Sequence, residues 1–124
     1  MIEDRSTPPL DLAKALTVVG GDKNLLVELA QVFQLELPAR LQALRRAVAT
    51  GDAEQAERVA HNLKGALASL GATRARDLAH ELEQLGRASR LDTAPAALAR
   101  FEQELARISD FVSAPDWVDA AGRP

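Results

Sequence analysis

The chain has 124 residues, 47% hydrophobic but only 3% aromatic, with no cysteine and a formal net charge of −3. That length suits one compact domain with a single core, and the missing cysteines exclude both a disulfide framework and a thiolate metal site. The charge balance, with acids and bases interspersed, argues against the basic face of a nucleic-acid binder, although Arg45-Arg46 and Arg74-x-Arg76 form short basic clusters.

No apolar run approaches the roughly 20 residues that a membrane span needs. Met1-Ile2-Glu3-Asp4-Arg5 lacks the basic-then-apolar order of a signal peptide. Together these lead us to expect no membrane insertion and a cytoplasmic location.

In chain order, residues 1–9 end in Thr7-Pro8-Pro9 and read as a flexible lead-in. Residues 10–19 carry apolar side chains at helical spacing and stop at Gly20-Gly21, a short first helix. Asp22 can cap a second helix whose stripe is Leu26, Leu29, Phe33, Leu37, Leu41, Leu44 and Val48. Pro38 lies inside that stripe and should bend the helix near Gln34 rather than end it. Gly51 closes it.

Asp52, with Gln55 in capping-box position, opens a third helix that runs to Leu70 and ends at Gly71. Thr73 caps a fourth, carrying Ala75, Leu78, Ala79, Leu82 and Leu85 inward and ending near Gly86. Thr93 and Pro95 start the last helix, with Leu98, Phe101, Leu105, Ile108 and Val112 as its stripe. Residues 114–124 read as an irregular tail in which Trp117 either folds back or serves as linker. No strand-type alternation appears. The expected fold is all-α: an antiparallel up-down four-helix bundle over residues 10–113, with a short additional N-terminal helix.

The third helix carries the chemistry. At about 100 degrees per residue, Val59, Leu63 and Leu70 fall opposite His61, which therefore points away from the core. Glu54, Glu57, Lys64, Gly65 and Ala68 share its outer face. Lys64 is one turn on, so its ammonium can reach the space beside the imidazole. Gly65 costs the helix about 1 kcal/mol relative to alanine and serves no cap or turn. What it offers is a bare backbone patch for close approach. A neutral imidazole nitrogen is a nucleophile, and a cation beside it stabilises the charge of a phosphoryl group in flight.

Ala60-His61-Asn62-Leu63-Lys64-Gly65, followed by small residues up to Leu70-Gly71-Ala72, closely resembles the motif of the histidine-containing phosphotransfer (HPt) domain family. The resemblance extends through Gly20-Gly21-Asp22, Glu36-Leu37-Pro38 and Leu82-Glu83, covering roughly residues 10–112. It implies that His61 is phosphorylated, that Lys64 stabilises the phosphoryl charge and that Gly65 clears the approach. It also implies receiver domains of response regulators or hybrid histidine kinases as partners, docking around Glu57, Arg58, Lys64, Gly65, Ala68 and parts of the first helix. No intrinsic cofactor is then expected, since the receiver supplies Mg²⁺ and the acceptor aspartate. A monomeric phosphoryl carrier without autonomous turnover is the implied protein, free-standing or part of a hybrid kinase. Some members have a glutamine on the fourth helix near the phosphohistidine, where this chain has Glu83. A carboxylate there can orient the imidazole but repels phosphate, a charge that Arg87 one turn on can offset. Glu83 and Arg87 are therefore placed with the partner-binding residues.

Several readings compete. A docking module that binds a receiver without accepting phosphate is opposed by the intact His61, Lys64 and Gly65. The phosphoacceptor domain of a chemotaxis-type kinase shares the motif but normally begins a much longer chain. A conventional enzyme lacks a paired base, a metal or pocket residues. His80-Glu81-Leu82 echoes a dimeric-kinase phosphoacceptor, but Glu83-Gln84-Leu85 follows in place of a basic residue and a proline. Gln84 also replaces the second histidine of a zinc-protease helix, and no metal site is expected. His80 is thus expected on a solvated polar face with Arg76, Glu83 and Arg87.

Overall fold

The computed structural model describes residues 7–120, and every regular element among them is helical. These are α1 (Leu12–Val18), α2 (Lys23–Thr50), α3 (Ala53–Ser69), α4 (Thr73–Arg87) and α5 (Ala94–Val112), with 3-10 turns at Leu91–Thr93 and Trp117–Ala120. Three aspartates open three of the helices. Asp11, Asp22 and Asp52 accept from the backbone N–H of Lys14, Leu25 and Gln55 at 3.2, 3.1 and 3.1 Å. Each satisfies a donor that the first helical turn leaves without a partner. α2 runs through Pro38 without a break.

The helices form a bundle in which α2 packs on α3 and α5, and α4 packs on the same two. Leu26, Phe33, Leu44, Leu63, Leu67, Leu82, Phe101, Leu105 and Ile108 are buried at its centre. Full burial of such a side chain stabilises the fold by about 1.5–3 kcal/mol, so the core needs few aromatics. The most extensive helix pair is α3 with α4. Small buried residues make that approach close: Ala56 and Ala60 on one side, Ala75, Ala79 and Gly86 on the other.

Several helix ends depart from the sequence expectations. Ala72, not Thr73, occupies the N-cap of α4, and no side chain caps it. The turn at Gly71 (φ 68°) brings the chain into the helix one residue early. A Cβ at Gly71 would run into the Asp11 carbonyl, and the Gly71 carbonyl accepts from Asp11 N–H at 2.7 Å. Gly86 does not end α4, which continues to Arg87. A Cβ there would lie 2.8 Å from Glu57 N and 2.9 Å from Ala53 O, so glycine is required by the closeness of α3.

The two ends of the chain also differ from expectation. Residues 1–6 of the lead-in lie outside the described residues. Within the rest of it, Pro9 is buried and the Thr7 carbonyl accepts from Arg107 Nη2 at 2.6 Å, so this part is held rather than loose. The tail turns back after Pro115 instead of staying irregular. Trp117 is 7% exposed, its ring 6.0 Å from that of Phe111. Residues 121–124, expected to be irregular, lie outside the described residues. Among the described residues, no helix is long and apolar enough to cross a membrane.

Candidate functional site

α3 turns its apolar side, with Val59, Leu63 and Leu67 buried, into the bundle and its opposite side outward. His61 stands on the outward side with 64% of its side chain exposed. Its ring is nevertheless anchored from below. Nδ1 lies 2.6 Å from Oε2 of Glu83 on α4. The other oxygen of that carboxylate, Oε1, accepts from Lys64 Nζ at 2.5 Å.

Glu83 is 2% exposed, which corrects its expected place on an outer polar face and in the docking surface. It sits under the imidazole, on the interface between α3 and α4. Burial opposes its ionisation, but hydrogen bonds from Lys64 and His61 and their charges outweigh it, holding the carboxyl down at about 2. Glu83 is therefore ionised near neutral pH and can only accept. The proton of the short His61 contact must lie on Nδ1. In a neutral ring the lone pair is then on Nε2, the nitrogen turned away from the carboxylate.

Other residues expected at the site fall around this cluster. Lys64 is 26% exposed and shared between Glu83 and its surroundings. Nothing lies within 4 Å of a Cβ built on Gly65, so no contact within the chain calls for glycine there. Ala68 is exposed, and Arg58 is turned outward with Glu54 and Gln55 at 3.4 and 3.1 Å. Glu57 accepts from Arg87 Nε at 2.9 Å, while Arg87 Nη2 stands 3.8 Å from Glu83 Oε2. The positive arm expected to offset Glu83 is thus present, and it is attached mainly to Glu57.

His80 keeps the exposed place expected of it, but it also borders the cluster. It is 54% exposed, and Nδ1 is 3.4 Å from both Lys64 Nζ and Glu83 Oε1. The signal for the burial of Glu83 was in α4: Glu83 lies between Ala79 and Gly86, four residues after one small residue and three before the other. Small residues along that line let α3 come close enough to cover a carboxylate. Among the described residues, no three His, Cys, Asp or Glu side chains meet as a group able to hold a metal.

The family model described as "Hpt domain" matches residues 28–111. Among solved structures, the chain is similar to histidine-containing phosphotransfer protein B (HptB) from Pseudomonas aeruginosa PAO1, with a TM-score of 0.79 and 28% sequence identity. That match covers 86% of this chain and 93% of the other. No match was found among curated proteins.

Proposed function

The chain belongs to the Hpt domain family, and from that premise we propose that it carries a phosphoryl group on His61 Nε2 between receiver domains of a phosphorelay. The observation that carries this is the buried, ionised Glu83 at 2.6 Å from Nδ1, which leaves the lone pair on the exposed side of the ring. A receiver's aspartyl phosphate is the donor. The Nε2 lone pair attacks phosphorus in line, the N–P bond forms, and the P–O bond to the aspartyl oxygen breaks, releasing the carboxylate. No proton moves: Nδ1 keeps its hydrogen, and the ring becomes a phosphoimidazolium whose positive charge Glu83 offsets. A second receiver takes the group by the reverse of these steps.

Lys64 contributes electrostatics to the transferring oxygens rather than a proton. Gly65 leaves the approach beside the ring open, and Glu57, Arg58, Lys64, Gly65 and Ala68 border the docking face. We assign the required Mg²⁺ to the receiver. The same reading carries a monomer, a cytoplasmic setting and an antiparallel order of the four long helices, which the tight turns at Gly51 and Gly71 support.

The test is incubation with radiolabelled phospho-receivers, in parallel with His61→Gln. Acid-labile, base-stable label is expected on the wild type, with at least a roughly thousandfold loss in the variant because the nucleophile is gone. The variant's circular dichroism should be unchanged. Binding without label on the wild type would instead make the chain a docking module.

A further inference from the structure

Lys64 and His61 share one carboxylate, and their needs diverge once a phosphoryl group arrives. Glu83 lies on the Nδ1 edge of the His61 ring, whereas the phosphoryl group attaches at Nε2, on the far edge. At rest, Lys64 Nζ is held on the Nδ1 side, 2.5 Å from Glu83 Oε1. To contact phosphoryl oxygens it must swing outward. Glu83 is 2% exposed, so an oxygen left without a donor there carries a desolvation cost.

One group is placed to replace it. His80 Nδ1 is 3.4 Å from the same oxygen, Oε1. Arg87 is not the substitute: it approaches Oε2, at 3.8 Å, and is bound to Glu57 at 2.9 Å. At rest, the Lys64 ammonium can only donate, and its hydrogen bond to His80 Nδ1 at 3.4 Å uses the lone pair of that nitrogen, with the ring proton on Nε2, while Glu83 Oε1 at the same distance is held by Lys64. When Lys64 departs, that lone pair would face an ionised carboxylate. The stable arrangement then has the proton on Nδ1, donated to Oε1. The ring is 54% exposed, so water can carry the proton from one nitrogen to the other.

We propose that His80 is a positioning residue that takes the Glu83 oxygen released by Lys64, freeing the lysine for the phosphoryl group. This rests on the phosphoryl-carrier reading, but one arm of its test does not. With ¹⁵N-labelled histidine, two-bond ¹H–¹⁵N spectra report which nitrogen of each ring is protonated, and the chain has two histidines to resolve. Lys64→Met imitates departure of the lysine without any phosphorylation. In that variant His80 is expected to change from the Nε2–H to the Nδ1–H form, and the same change should follow phosphorylation of the wild type with phosphoramidate. An unchanged His80 ring in Lys64→Met overturns the proposal. Failure of phosphoramidate or receivers to label His61 would overturn the carrier reading while leaving that arm readable.

Kinetics supply the second arm. His80→Ala should slow phosphoryl acceptance about fivefold, the factor of one modest hydrogen bond. His80→Gln should restore most of it, because an amide can accept from lysine and donate to a carboxylate. Equal rates in wild type and His80→Ala would count decisively against the proposal.

Discussion

Glu83 and Glu104 are both carboxylates sealed into the bundle, at 2% and 1% exposure, yet they are neutralised in different ways. Glu104 on α5 faces arginines: Arg107 Nη1 reaches its two oxygens at 3.0 and 3.2 Å, and Arg74 Nε stands at 3.5 Å. Arg107 also donates to the Thr7 carbonyl, so the cluster ties the start of the described chain to α5. Glu83 faces a lysine and an imidazole, with a second imidazole nearby. Guanidinium stays protonated and offers no nucleophile. Imidazole can hold a proton on one nitrogen and a lone pair on the other. The same buried acid therefore fastens the fold in one place and prepares a reacting atom in the other.

Replacing each acid by alanine tests that contrast most strongly. Glu83→Ala removes the group that fixes the His61 tautomer and should slow phosphoryl acceptance roughly tenfold to a hundredfold. Glu104→Ala should leave the rate within about twofold while costing about 2 kcal/mol of stability in urea unfolding, because Arg107 loses both of its hydrogen bonds to the carboxylate. Comparable rate losses in the two variants would break the distinction.

Acid titration probes the other side of it. The Glu83 carboxyl is held at about 2 in the fold against an ordinary 4.5, so its ionised form stabilises the protein fully above about pH 4.5. That contribution disappears as pH falls through this window toward 2. It amounts to about 3 kcal/mol at most. The stability difference between wild type and Glu83→Gln should therefore shrink between pH 4.5 and 2; a constant difference would show that Glu83 is not held ionised.

The smallest effects separate two helical glycines. Gly65→Ala should raise stability by up to about 1 kcal/mol, since nothing lies near its Cβ, whereas Gly86→Ala should destabilise by crowding Glu57 N at 2.8 Å. Gly65→Leu should slow transfer from a receiver more than labelling by phosphoramidate. Equal slowing would mean that Gly65 does not serve partner approach.

The helical pattern and the outward place of His61 were legible because both follow from periodicity within one helix. Leu63 and Leu67 bury where the spacing of α3 requires, and Asp22 and Asp52 cap where a short acceptor precedes an apolar stripe. The support beneath His61 was not legible, because it depends on which face of α4 meets α3. Leu78 and Leu85 looked like inward residues, but they are only partly buried, and the covered line runs through Ala79, Leu82, Glu83 and Gly86. Close approach, not apolarity, selected that face. Glu104 was hidden for a related reason: Arg107 lies one turn on in the same helix, but the burial of the carboxylate depends on how α5 meets α4, which carries Arg74.

The most direct test of the account is to find which ring nitrogen carries phosphorus. The phosphorylated, ¹⁵N-histidine-labelled protein should show one-bond ¹⁵N–³¹P coupling at Nε2 of His61, with Nδ1 of the same ring still protonated. Coupling at Nδ1 of His61, or at either nitrogen of His80, would contradict it.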